Sequence, residues 1–233
     1  MLKQVLWGAS FAALLASGLA TAGPVYQYEV SGGDVPGQNA NAGAITNIST
    51  TFDTNTEVFS WSHTINDKGG KASDGFWLVV SDGPNPKGNV DEFAILYGDA
   101  DTNTLTAYIY DGVNSANSHT DAGSYLDTFN LGYTDNGNSG TFSFSFDATT
   151  INSLFNTPDW DGVSFGANMG IWLHPMLDAN FGYDQNGLLT SLGYSAQGWL
   201  DTKNRNTVNV VEPSALLLMG FGLFGLGLAR RRS

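Results

Sequence analysis

The feature that most constrains this chain is a two-residue rhythm of apolar and polar side chains, with no sustained helical period between the two ends. Phe59, Trp61, His63 and Ile65 fall on one side of an extended run, and Ser60, Ser62 and Thr64 fall on the other. Phe142, Phe144 and Phe146 alternate in the same way with Ser143 and Ser145. Successive side chains of a strand point to opposite faces, so each run predicts an antiparallel strand with one buried and one wet face. Leu105, Ala107 and Ile109 alternate with Thr106, Tyr108 and Tyr110 and predict a third half-buried strand. Residues 76–80 are apolar throughout and predict a central strand buried on both faces. Residues 93–97 and 170–173 are further strands, and 188–199 holds one or two more.

Turn signals separate these runs: Asp67-Lys68-Gly69-Gly70, Asp82-Gly83-Pro84, Asp135-Asn136-Gly137 and Gln185-Asn186-Gly187. One short helix is expected over 149–155, entered from Asp147. Lys and Glu are scarce while Gly numbers 29, which disfavours long surface helices and suits tight turns. The expected fold is all-β, a single antiparallel β-sandwich of the jelly-roll, lectin-like or laminin-G-like kind, spanning 23–208. A parallel α/β sheet lacks the helices it would need.

The two ends read differently. Lys3 precedes an apolar run over 5–20, and Ala20-Thr21-Ala22 supplies small residues at the −3 and −1 positions of a signal-peptidase site. Residues 1–22 are therefore a secretory signal peptide, with Ala20 and Ala22 setting cleavage. At the other end Val211-Glu212-Pro213-Ser214 leads into 215–229, which holds no polar residue, and then Arg230, Arg231 and Arg232. Fifteen helical residues rise about 22 Å, short of the roughly 30 Å hydrocarbon core, so this transmembrane helix is marginal. The arginines form a cytoplasmic stop, which leaves 23–210 outside the inner membrane. A marginal span at the extreme end suits either a weak anchor or a signal to be cut.

The box Val211-Glu212-Pro213-Ser214, the Gly/Leu run and the three arginines together resemble the PEP-CTERM sorting signal of Gram-negative bacteria. The resemblance covers 211–233, with Val211 standing where the family has its first Pro. It implies that 209–233 is read by exosortase, a membrane-embedded cysteine peptidase, and that the mature protein reaches the cell surface or the extracellular matrix. The middle is similar, less sharply, to uncharacterised domains that accompany such tails, through 75–84, 142–150 and 160–175. That family brings no catalytic residues.

Charge narrows the partners. The formal net charge is −13, and 23–211 alone carries 21 acidic against five basic residues, a net −16. Such a surface repels phosphate backbones, so nucleic acid is not an expected partner. Neutral or cationic glycans and divalent cations suit it. There is no cysteine, so thiolate chemistry is absent from the chain.

No catalytic constellation is legible. The histidines are His63, His119 and His174; His63 lies on the apolar face of its strand and reads as a hydrogen-bonded core residue. Glu29, Glu57, Glu92 and Glu212 stand alone, without the paired carboxylates of a glycosidase. No cofactor is expected. Calcium is the one metal with a candidate set, because Asp99, Asp101 and Asn103 share the alternate spacing of a calcium loop. The same spacing also suits a solvated hairpin. Asp82, Asp91 and Glu92 form a second, looser set. Trp61, Trp77 and Trp172 are expected in the core, and Trp160 and Trp199, nearer loops, are the candidates for stacking on a sugar ring.

The expected protein is thus non-enzymatic, exported, sorted by exosortase-type processing, and a candidate binder of exopolysaccharide. A secreted glycan-active hydrolase and a structural biofilm component without a small ligand are the rivals. An exposed tryptophan beside convergent amides favours the binder. Two carboxylates facing across a groove favour the hydrolase.

Overall fold

A computed structural model describes residues 23–112 and 123–202. The signal-peptide residues, His119, the Val211 to Ser214 box, the apolar run and the arginines lie outside them. Among the described residues, no helix is long and apolar enough to cross a membrane.

The described chain is all-β and its strand pairings are antiparallel. One sheet has five strands in the order β1 (Val25–Val30), β3 (Ile45–Asp53), β4 (Val58–Asn66), β10 (Ser139–Asp147) and β9 (Gly132–Asp135). The larger sheet runs β2 (Gln38–Asn39), β15 (Trp199–Asp201), β11 (Gly170–Leu177), β5 (Gly75–Ser81), β6 (Ala94–Asp99), β7 (Thr104–Ile109) and β8 (Tyr125–Asn130), with β14 (Ala196–Gln197) also on β11. A hairpin of β12 (Asn180–Tyr183) and β13 (Leu189–Gly193) stands apart.

The alternation in β4 and β10 places the core. Phe59, Trp61, His63 and Ile65 are buried, as are Phe142, Phe144 and Phe146, while the intervening Ser and Thr are half-buried or exposed. On the wet face the hydroxyls pair across strands, Ser60 with Ser145 at 2.8 Å and Thr64 with Thr141 at 3.0 Å. On the dry face the rings meet Phe76, Leu78 and Val80 of β5, which belong to the same core. Phe76 lies 5.0 Å from Phe142 edge to face, and 4.9 Å from the His63 ring. Each such buried side chain contributes about 1.5–3 kcal/mol of apolar transfer. Gly98 is part of this packing. It lies directly opposite Phe76 across β5 and β6, and a Cβ added there would overlap the Phe76 ring.

The expected two-face burial of residues 76–80 is observed, and its cause is a second core. Trp77, Val79, Ile95, Tyr97, Tyr108, Trp172 and Met176 form the outer face of the larger sheet, covered by Leu189 and Leu192 of the β12–β13 hairpin. The hairpin is pinned by a 2.6 Å hydrogen bond from the Leu189 N–H to the Tyr108 hydroxyl. This layer corrects the expectation for β7. Leu105, Thr106, Ala107 and Tyr108 are all buried, because the face expected to be wet carries the second core.

The helix is shorter than expected. It is α1 (Thr149–Asn152), entered from Asp147, whose carboxylate accepts the Thr149 N–H at 2.9 Å and its hydroxyl at 2.6 Å. These bonds hold the Asp147 carboxyl below its usual range. The helix stops because the Leu154 N–H turns back to the Ile151 carbonyl and the Ser153 hydroxyl takes the Thr149 carbonyl.

Candidate functional site

The local sequence that builds the site is Gln197-Gly198-Trp199-Leu200-Asp201. Leu200 enters the inner core, so period-2 geometry turns Trp199 and Asp201 to the outer face of the larger sheet. Gly198 separates β14 from β15 and lets the β2 backbone come close; a Cβ there would sit 2.6 Å from the Asn39 carbonyl oxygen. Cross-strand register then sets the neighbours. Trp199 lies directly opposite Asn39 on β2, and Asp201 directly opposite Trp172 on β11.

These residues line a groove of about 460 Å³ with Asn41, Lys87, His174, Tyr194 and Gln197. Its floor is ordered by aromatic contacts. His174 stacks on Trp77 at 4.4 Å and meets Trp172 edge-on at 4.9 Å. The Gln197 side-chain nitrogen contacts His174 Nδ1. Lys87 comes from the turn Pro86–Gly88, which the Tyr110 hydroxyl holds by donating to the Lys87 carbonyl at 2.8 Å. Its ammonium lies 5.7 Å over the Trp172 ring. Asn39 is set by accepting the Asn41 N–H at 2.9 Å. Burial holds the Tyr194 phenol above its ordinary pKa, so it remains a neutral hydroxyl near pH 7.

The two tryptophans named from the sequence part company. Trp199 is 42% exposed and stands in the groove. Trp160 is only 8% exposed, belongs to the inner core and packs edge-on against Phe155 at 4.9 Å. Its faces are closed to a sugar ring, which corrects its place among the candidates. Trp61, Trp77 and Trp172 are core residues as expected.

The Asp99, Asp101 and Asn103 set is used as a hairpin turn. Asp99 is buried; its Oδ1 accepts the Asp101 N–H at 3.0 Å, and its Oδ2 accepts the Thr102 hydroxyl at 2.8 Å and the Tyr183 hydroxyl at 3.3 Å. Asp101 and Asn103 are exposed. In the second set, Asp82 accepts the Gly166 N–H at 3.1 Å. Among the described residues, no group of three or more His, Asp or Glu is arranged to hold a metal ion.

His63 is fully buried and accepts the Trp61 indole N–H, and burial pushes its pKa down to about 3. It is a neutral core residue that no substrate reaches. The groove was only partly legible beforehand. Trp199 and Asp201 share a face by their spacing, whereas Asn39, Asn41, Lys87, His174 and Gln197 arrive through pairings that no local pattern encodes.

No protein-family model matches the chain, and no curated protein matches it. Among solved structures the chain is similar to one described as "pH-induced modulation of Streptococcus parasanguinis adhesion by Fap1 fimbriae". The identity is 15% and the TM-score 0.25, with 79% of this chain and 92% of that one covered. A likeness so distant carries no argument about fold type or function.

Proposed function

We propose that the domain is a non-enzymatic saccharide-binding module of an exported protein. Its ligand class is exopolysaccharide, and its sorting follows the exosortase route implied by the Val211-Glu212-Pro213-Ser214 tail. The observation that carries the binding reading is Trp199, an exposed indole in a groove shared with the amides of Asn39, Asn41 and Gln197. An indole face packs against the C–H face of a sugar ring, while amides, with one donor and one acceptor end each, match its hydroxyls. Among the described residues Asp201 is the one carboxylate lining the groove, and hydrolysis of a glycosidic bond ordinarily uses two. That difference favours binding over the secreted-hydrolase alternative.

The finer fold assignment belongs to the same proposal. Two large antiparallel sheets packed through one aromatic core support a lectin-like or laminin-G-like sandwich. Export, transit through the inner membrane and surface or matrix location rest on the terminal signals.

The test is a glycan array probed with the full-length protein in detergent, with calcium and with EDTA. The expected result is binding to a restricted set of saccharides that survives EDTA. Release of reducing ends from a bound glycan would instead establish the hydrolase.

A further inference from the structure

The charge of the groove goes further than its shape. Asp201 faces Trp172 across β15 and β11 and, among the described residues, is the one carboxylate lining the groove. A carboxylate facing a groove pairs more strongly with a charged N–H of a ligand than with a neutral donor. The groove also shows that its aromatic faces take ammonium groups, since Lys87 Nζ lies over Trp172 and forms no ion pair among the described residues. Trp199, 42% exposed, offers a ligand the same kind of face. Lys87 and Asp201 offset one another, so the sign of the field falls to the rest of the domain. Residues 23–211 hold 21 acidic and five basic side chains, and Lys71 is already paired with Asp178. Such a surface draws cations toward a groove and repels polyanions.

We infer that the groove takes a cationic saccharide, an oligomer or polymer of de-N-acetylated amino sugar. The ring ammonium is held by Asp201 and the Trp199 face, and the sugar hydroxyls by Asn39, Asn41 and Gln197. This rests on the saccharide reading of the groove and adds the sign of its ligand.

The experiment is calorimetric titration of the full-length protein in detergent with four tetrasaccharides: β-1,4-linked glucosamine, its fully N-acetylated counterpart, cellotetraose and tetragalacturonate. The glucosamine tetramer is expected to bind about tenfold or more tighter than the acetylated one, with an advantage that shrinks as salt rises. Asp201→Asn is expected to erase that advantage, with a circular dichroism spectrum like that of wild type showing that the variant is folded. Lys87→Gln is expected to tighten the glucosamine tetramer. Equal or weaker binding of the glucosamine tetramer, or tightest binding of tetragalacturonate, overturns the cationic assignment and leaves the saccharide site standing. Binding of none of the four, together with a silent glycan array, overturns both.

Discussion

The Trp61 indole nitrogen donates a hydrogen bond to His63 Nδ1 at 2.8 Å, from two residues away on the same face of β4. Both side chains are fully enclosed, with Phe142 stacked on the imidazole at 5.0 Å and Phe76 edge-on at 4.9 Å. Nδ1 therefore accepts and the ring is neutral, with its proton on Nε2. This pair is the hydrogen-bonded core histidine expected from the sequence, and it has its own pH signature.

Burial lowers the His63 pKa from 6.5 to about 3 in the fold. Between those values the unfolded chain binds a proton that the folded chain refuses, so stability falls as pH drops below about 6.5, by up to roughly 1.4 kcal/mol per pH unit. Burial also raises Asp74 and Asp161, which pull the other way, so the His63 contribution is read as a difference between variants. His63→Phe is expected to flatten the fall between about pH 6.5 and about pH 5 in urea titrations. It should also cost about 1–3 kcal/mol near pH 7, because the Trp61 N–H loses its acceptor. Identical pH slopes in the two proteins would refute the neutral buried state.

Gly98→Ala tests the seating of Phe76 over β6 within the larger sheet. The added methyl has no room beside Phe76, and relieving the overlap means moving a ring that also packs on Phe142 and His63. The expected loss is about 1–3 kcal/mol in thermal or urea unfolding. An unchanged melting temperature would mean that Phe76 is not held against β6.

The sequence exposed what depends on one strand and hid what depends on two. β4 and β10 were legible because one face of each is wet, so their alternation is uninterrupted. β7 misled because the β12–β13 hairpin covers its second face, a tertiary fact without a local trace. β3 leaves little trace in the sequence because its inner row includes Thr50, whose hydroxyl donates to the Ser60 carbonyl at 2.8 Å, and because a register shift between Ile45 and Asn47 breaks its rhythm. Trp199 was identifiable as a near-loop tryptophan, but so was Trp160, which lies in the core. Only the pairings of Trp199 with Asn39 and of Asp201 with Trp172, across β2, β15 and β11, separate them.

The two cores draw on residues 26–200, so the middle of the chain should fold without either end. Circular dichroism of a 23–208 fragment is expected to give a β-rich spectrum and a single cooperative melt. A helical or disordered spectrum would contradict this.

The sorting proposal makes a separate prediction. Glu212→Ala combined with Pro213→Ala leaves 215–229 and the three arginines unchanged, so membrane insertion should persist while exosortase-type processing fails. Immunoblots of membrane and surface fractions should show uncut protein accumulating at the inner membrane. If wild type and variant remain equally membrane-bound at full length in a host with exosortase, the tail is an anchor alone.

The central claim is that Trp199 makes the groove a saccharide site. Trp199 is largely outside the cores, so Trp199→Ala should leave the melting temperature within about 2 °C of wild type, as expected for a surface change. Titration with the tightest saccharide from the array should show an affinity loss of about tenfold or more, partly recovered by Trp199→Phe. Full-affinity binding by a correctly folded Trp199→Ala protein would contradict the account.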